Sequence, residues 1–212
     1  MSERAWARRL ALLALLLWGA ALGRGALDAW VEATVLPPLV AAESQEVLDR
    51  DGRLLRAYTV ADGRWRMGVS VEEVDPLYLA MLLRYEDNRF REHGGVDLRA
   101  LARAAVQALR SGGVVSGGST LTMQVARLID PPAGGSRTLG AKARQIVRAV
   151  QLELRLSKRE ILTLYLHHAP MGGIVEGVEM ASRLYLGKSS HHLSHAEAAL
   201  LAALPQARSR LR

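Results

Sequence analysis

Three arginines, Arg4, Arg8 and Arg9, precede an unbroken small or apolar run from Leu10 to Gly23. A basic flank followed by such a run is a targeting or membrane segment rather than the start of a water-soluble core. Its fourteen residues fall short of the roughly 20 that cross a bilayer. Arg24 can snorkel, however, and Gly25, Ala26 and Leu27 carry the span toward Trp30. A signal-anchor helix is the first expectation, and a cleaved signal peptide ending in Ala21-Leu22-Gly23 is its rival. Either way the basic flank stays in the cytoplasm and the remainder is delivered outside it. Trp6, Trp18 and Trp30 at or near this segment read as membrane contacts.

Of the 212 residues, half are hydrophobic, enough for one sizeable core besides an anchor. The chain has no cysteine, so disulfides, thiolate nucleophiles and cysteine-ligated metals are excluded. Charge is unevenly placed: residues 101–160 hold 10 Lys or Arg against Asp130, Glu153 and Glu160, whereas residues 1–100 hold 13 Arg and 15 acids. Such a basic segment suits a polyanion, an acidic membrane surface or a diphosphate, or is simply a solvated helical face. Delivery outside the cytoplasm removes nucleic acid from the expected partners.

Past the anchor, residues 35–45 with Pro37-Pro38 read as a linker. Val47 to Leu55, turning at Asp51-Gly52, reads as the one short β-hairpin. Helical punctuation dominates thereafter. Asp75-Pro76 opens a helix toward Tyr85, and a second runs from Leu98 to Arg110 and stops at Gly112-Gly113. Gly117-Gly118-Ser119 offers a cap for a third carrying Thr122, Gln124 and Arg127, before Pro131 to Gly135 break the chain. Ser157 to Glu160 and Ser194 to Glu197 both match the capping box. The fold class is therefore mainly α.

The segment Tyr85-Glu86-Asp87-Asn88-Arg89-Phe90-Arg91-Glu92-His93-Gly94-Gly95-Val96-Asp97 gathers ionisable side chains around one phenylalanine. Its carboxylate pair either caps the Gly-Gly loop and pairs with Arg84, Arg89 or Arg91, or supplies a general base set by partial burial against Tyr85 and Phe90. One carboxylate can react while its neighbour holds the loop.

Glu86 to Asp97 resembles the first motif of the family 51 peptidoglycan glycosyltransferases, the polymerising domains of class A penicillin-binding proteins. Gly117 to Arg127 resembles the second motif, Arg137 to Lys142 running on to Glu153 the third, Ser157 to Leu166 the fourth, and Gly177 to Lys188 the fifth. Met123, Ala169 to Gly173 and Leu204 to Ala207 resemble the 1C branch of that family. Gln145 stands where most members carry a second functional glutamate, and His167 where an asparagine is usual.

The resemblance implies a lysozyme-like two-lobed domain over residues 46–212, with residues 1–34 as cytoplasmic tail and anchor. It implies a bacterial cytoplasmic-membrane protein, single-pass, whose domain faces the periplasm. The implied reaction joins a sugar 4-hydroxyl to the anomeric carbon of lipid II or a lipid-linked glycan, inverting that centre and releasing a lipid diphosphate. A hydroxyl needs a base, by motif position Glu86. The leaving diphosphate needs cations, by motif position Arg127, Arg137 and Lys142, with Ser119, Gln124 and Gln145 as further substrate contacts. Lys142, Gln145, Ala149 and Leu152 share one helix face, while Arg144, Arg148 and Arg155 are expected to face headgroups or solvent. Asp87, Phe90, His93 and Asp97 are implied to shape the loop, His93 through a hydrogen bond to Asp97.

Magnesium or another divalent cation is the cofactor such a reaction implies, with no metal ligands assigned. His167-His168 and His191-His192 with His195 lack the acid of a hydrolytic zinc motif. Three residues before Lys142, Lys158 and Lys188 stand Leu139, Arg155 and Tyr185, so no Ser-x-x-Lys transpeptidase site is expected, and cross-linking falls to a separate transpeptidase. The stop at Arg212 reads as a shortened domain. A lysozyme-like hydrolase and an inactive lipid II-binding scaffold are the competing functions.

Overall fold

A computed structural model describes residues 3–33, 42–52, 54–111, 118–131 and 138–207. Arg137, the Pro37-Pro38 pair, Gly112-Gly113, Gly117 and most of the Pro131 to Gly135 break lie outside the described residues. The chain forms two compact units, Met1–Pro37 and Pro38–Arg212.

The first unit is α1 (Glu3–Ala33), unbroken by Gly23, Arg24 or Gly25. Arg9–Val31, 23 residues of mean hydropathy 1.8, is long and apolar enough to cross a membrane. Leu10, Leu13, Leu16, Trp18 and Leu22 are all exposed, so apolar side chains surround the helix as they do on a spanning segment.

The second unit begins with β1 (Glu46–Leu48) and β2 (Leu54–Ala57), antiparallel with Glu46 opposite Ala57. This is the hairpin read from Asp51-Gly52, and Gly52 adopts the φ of 77° that its turn requires. The expectation of a single hairpin falls short. A second sheet, ordered β3-β5-β4, joins β3 (Trp65–Arg66), β4 (Pro170–Gly172) and β5 (Val175–Glu176). Its strands are two or three residues long, too short for any alternating pattern, and β3 pairs in parallel with β5 far along the chain. Buried Arg66 fastens it, donating through Nε to Glu176 at 3.1 Å.

Helices supply the rest. Asp75 caps α2 (Pro76–Glu86) by accepting from the Leu77 N–H, and its second oxygen accepts from the Leu193 N–H at 2.8 Å, just before α8 (His195–Ala207). These two contacts register α8 on α2, against which it packs. α3 (Leu98–Ser111) follows the loop of residues 87–97. α4 (Leu121–Ile129) packs against both α5 (Leu139–Arg155) and α6 (Lys158–His168). α7 (Val178–Leu186) ends at Gly187 in the left-handed conformation. Both capping boxes form: Ser157 with Glu160, and Ser194, whose N–H reaches Glu197 at 2.7 Å while its hydroxyl accepts the Glu197 N–H.

Tyr78 and Leu82 of α2, Leu121, Met123 and Val125 of α4, and Leu152, Ile161 and Leu166 of α5 and α6 are fully buried. Each such large apolar side chain contributes about 1.5–3 kcal/mol of transfer free energy. This core is what aligns the ends of α2 and α4. The molecule is mainly α with two small sheets, the class its punctuation indicates.

Candidate active site

Glu86 is the last residue of α2, and the chain turns there into the loop leading to α3. Its carboxylate accepts two side-chain amides: Gln124 Nε2 donates to Oε2 at 2.7 Å and Gln206 Nε2 donates to Oε1 at 3.0 Å. No arginine pairs with it among the described residues. Beneath it, Tyr78 and Tyr165 are buried phenols whose ionisation burial first, and the Glu86 charge second, push well above the ordinary tyrosine range.

Asp87 does different work. It is 4 % exposed at the side chain, accepts the Leu121 N–H at 2.8 Å, and faces His93 Nε2 at 3.0 and 3.1 Å from its two oxygens. An ionised carboxylate only accepts, so Nε2 carries the proton and donates. Asp87 thereby joins the end of α2 to the first turn of α4, whose orphan N–H groups need acceptors. The two adjacent acids are divided as the sequence allows, one to a cleft and one to scaffolding. The alternative pairing with Arg84, Arg89 or Arg91 does not form.

The expected His93–Asp97 bond is corrected: His93 bonds Asp87, and Asp97 instead caps α3 through the Ala100 N–H at 3.0 Å and pairs with Arg89 at 3.0 Å. Helical spacing of four suggested the other partner, but this stretch is a run of turns. Phe90 is buried with Lys158 Nζ 4.5 Å above its ring centroid, and Lys158 also donates to the His93 carbonyl at 2.6 Å. The helix cap is likewise corrected by one residue. Thr120, not Ser119, caps α4 by accepting the Met123 N–H at 3.1 Å, and its hydroxyl donates to the Gly95 carbonyl. Gly95 has φ 89°, and a Cβ there would stand 2.7 Å from the Ala149 carbonyl oxygen, so the loop lies directly on α5.

Ser119 is thus free of the cap and faces a cation: Lys142 Nζ donates to its Oγ at 2.7 Å and to Gln145 Oε1 at 3.1 Å. Gln145 Nε2 donates to the Met123 carbonyl at 2.5 Å. Burial first, and Arg127 second, lower the Lys142 pKa from the ordinary lysine value. Arg127 is exposed on α4 one turn beyond Gln124, and its charge is also felt at Tyr165 beside Glu86. Lys142, Gln145, Ala149 and Leu152 do share a face, the last two fully buried. Arg144 and Arg155 are exposed, but Arg148 is not a headgroup contact. It pairs with Asp130 at 2.9 Å and donates to Gln151, pinning α5 to the end of α4.

A cleft of about 260 Å³ holds Glu86, Asp87 and Ser119 together with Arg84, Arg89 and Arg103. The sequence reading missed Arg103 and Gln206 at the site. Arg103 lies one and a half turns into α3, six residues past Asp97, with no motif to mark it. Gln145 and Ser119 offer neutral oxygens already hydrogen-bonded to an ammonium, and Mg²⁺ favours carboxylates and water. These residues do not fit a divalent cation. No group of three or more His, Asp or Glu fit to hold a metal exists among the described residues. His167 packs as structure, its Nε2 2.9 Å from the Val69 backbone nitrogen.

Residues 51–212 match the family model described as Transglycosylase, and the chain belongs to that family. Its domain is of the penicillin-binding protein 1C type: it is 57 % identical over 166 residues to penicillin-binding protein 1C of Escherichia coli, covering 78 % of this chain and 21 % of that protein. Penicillin-binding protein 1A of Pseudomonas aeruginosa is 38 % identical over 165 residues, 78 % of this chain and 20 % of the relative. For penicillin-binding protein 1A of Aquifex aeolicus the values are 37 % over 165 residues, 78 % and 22 %. The chain spans about a fifth of the length of these relatives. Family membership does not favour the hydrolase or scaffold alternatives.

Proposed function

We propose that the domain is a peptidoglycan glycosyltransferase that polymerises lipid II into β-1,4-linked glycan. One observation carries the reading: Glu86, oriented by two neutral amides, shares its cleft with Ser119, to which the Lys142 ammonium is bound beside Arg127.

The chemistry follows from those groups. Glu86 accepts the proton of the acceptor 4-hydroxyl as its oxygen forms a bond to the donor anomeric carbon. The bond from that carbon to the diphosphate oxygen breaks on the opposite face, the electron pair leaves with the lipid diphosphate, and the centre inverts. Lys142 and Arg127 neutralise the charge developing on the leaving group, with Arg127 suited to bidentate phosphate contact. Arg137 is assigned the same duty by its motif position. Asp87 and His93 hold the loop that presents Glu86, and take no proton from substrate. Gln145 cannot ionise, and Lys142, which donates to it, supplies positive charge opposite the leaving diphosphate. The α1 span keeps the domain at the membrane that holds the lipid tails, with the domain on the periplasmic face.

The test is conversion of labelled lipid II by the full chain in detergent micelles. Polymer together with released lipid diphosphate is the expected result. Soluble short sugars, or binding without turnover, would refute the reading.

A further inference from the structure

Gln206 takes no chemical step in the mechanism above, yet it is one of only two described side chains that donate to Glu86. It lies 120 residues away in sequence, one residue past Pro205 in α8. Its place is built rather than incidental. α8 packs along α2, the helix that carries Glu86, and buries Ala198, Leu201 and Ala202. The Asp75 carboxylate holds the start of both helices, through the Leu77 and Leu193 N–H groups. That register delivers the Gln206 amide to Glu86 Oε1 while α4 delivers the Gln124 amide to Oε2.

Two donors from two helices fix the plane of one carboxylate. A carboxylate has about four lone-pair sites, so two amide N–H groups leave room for the hydroxyl proton. Their neutrality matters as much as their geometry. An arginine in either place would bring a full positive charge against the carboxylate and weaken the base, whereas an amide orients it without one. From this geometry we propose that Gln206 is a positioning residue for Glu86, setting the orientation in which the carboxylate meets the acceptor hydroxyl. The inference rests on Glu86 being the reacting base.

The charged and titratable groups around Glu86 are Arg84, Tyr85, Arg89, Arg103, Asp87 and Asp97 in the cleft, Arg127 on α4, and the buried phenols Tyr78 and Tyr165. Within its described residues α8 adds only His195 and Glu197, at its far end. A change at Gln206 therefore leaves the other charges in place.

The full chain in detergent micelles is compared with Gln206→Met, which keeps length but loses the donor, and with Gln206→Glu. For Gln206→Met, kcat on lipid II falls about 10- to 100-fold, the scale of a misplaced catalytic group, with KM unchanged. Gln206→Glu, which keeps the shape but sets an acceptor against Oε1, loses at least as much, because the donor is again gone. Selective ¹³C labelling of glutamate, with the Glu86 signal identified by its loss in Glu86→Gln, reads the lost hydrogen bond at one fixed pH as a displaced carboxyl resonance, without any turnover. Wild-type kcat in Gln206→Met, a raised KM with kcat unchanged, or an unmoved Glu86 resonance overturns the proposal. Absence of polymer from the unsubstituted chain would instead sink the transferase reading, while the ¹³C resonance still decides the contact with Gln206.

Discussion

Asp87→Ala removes one acceptor from two donors at once. The Leu121 N–H at 2.8 Å and His93 Nε2–H at 3.0 Å then lose the acceptor that held them at a site where the side chain was 4 % exposed. A buried polar group left unsatisfied costs about 1–3 kcal/mol, so two together cost about 3–5 kcal/mol after partial relaxation. In a domain of this size each kcal/mol lowers Tm by about 2–4 °C, which predicts a fall of roughly 6–20 °C. Asp87→Asn keeps one oxygen and can serve one donor but not both, and is expected to cost about 1–3 kcal/mol. Circular dichroism melts of the full chain in one detergent measure both variants. Amide hydrogen exchange at Leu121 adds a local reading, since that N–H loses its partner. A Tm for Asp87→Ala within about 2 °C of the parent, or unchanged exchange at Leu121, would refute the assignment of Asp87 as the clasp between α2 and α4.

Lys142→Met removes the ammonium between Ser119 and Gln145 and is expected to lower kcat/KM for lipid II at least about tenfold, the size of one charge-assisted contact; Lys142→Arg should restore little, because the guanidinium does not fit a point-charge site. Burial and Arg127 lower the Lys142 pKa, so polymerisation falls on the alkaline side at lower pH than a free lysine would set, and Arg127→Gln moves that limb upward. Polymerisation persists in EDTA, whereas Gln145→Glu, which installs a carboxylate beside Lys142, makes the rate respond to magnesium; radiolabelled polymer counts both. Glu197 is held down to about 2 by the Lys188 ammonium and by Ser194, below the ordinary 4.5. A depressed carboxylate contributes stability that is complete above about 4.5 and lost as pH falls toward 2, so acid melts of Glu197→Gln should lack the part of that loss seen in the parent.

Most of the helical frame is legible because its signals are local. Asp75-Pro76, Ser157 to Glu160 and Ser194 to Glu197 place caps within four residues of the groups they satisfy. Glu86 and Asp87 are likewise visible as a pair, and the face shared by Lys142 and Gln145 follows from helical spacing. What escapes the sequence is long-range. β3 finds β5 across 110 residues, Gln206 reaches Glu86 across 120, and neither segment shows a periodicity that names its partner. His93 choosing Asp87 over Asp97, and Arg148 choosing Asp130, turn on loop paths rather than spacing. The Ser119 and Thr120 exchange is subtler, because both residues are good caps and only tertiary contact with Gly95 selects one.

Glu86 acting as the base underlies every step proposed for this domain. Wild-type chain is set beside Glu86→Gln in detergent, following labelled lipid II to polymer while lipid II affinity is measured separately. Unchanged affinity and a loss of rate of about 10²- to 10⁴-fold are expected, since glutamine keeps the shape and can still meet both amides after a flip but cannot take a proton. Polymer formed by Glu86→Gln at the parent rate would contradict that role.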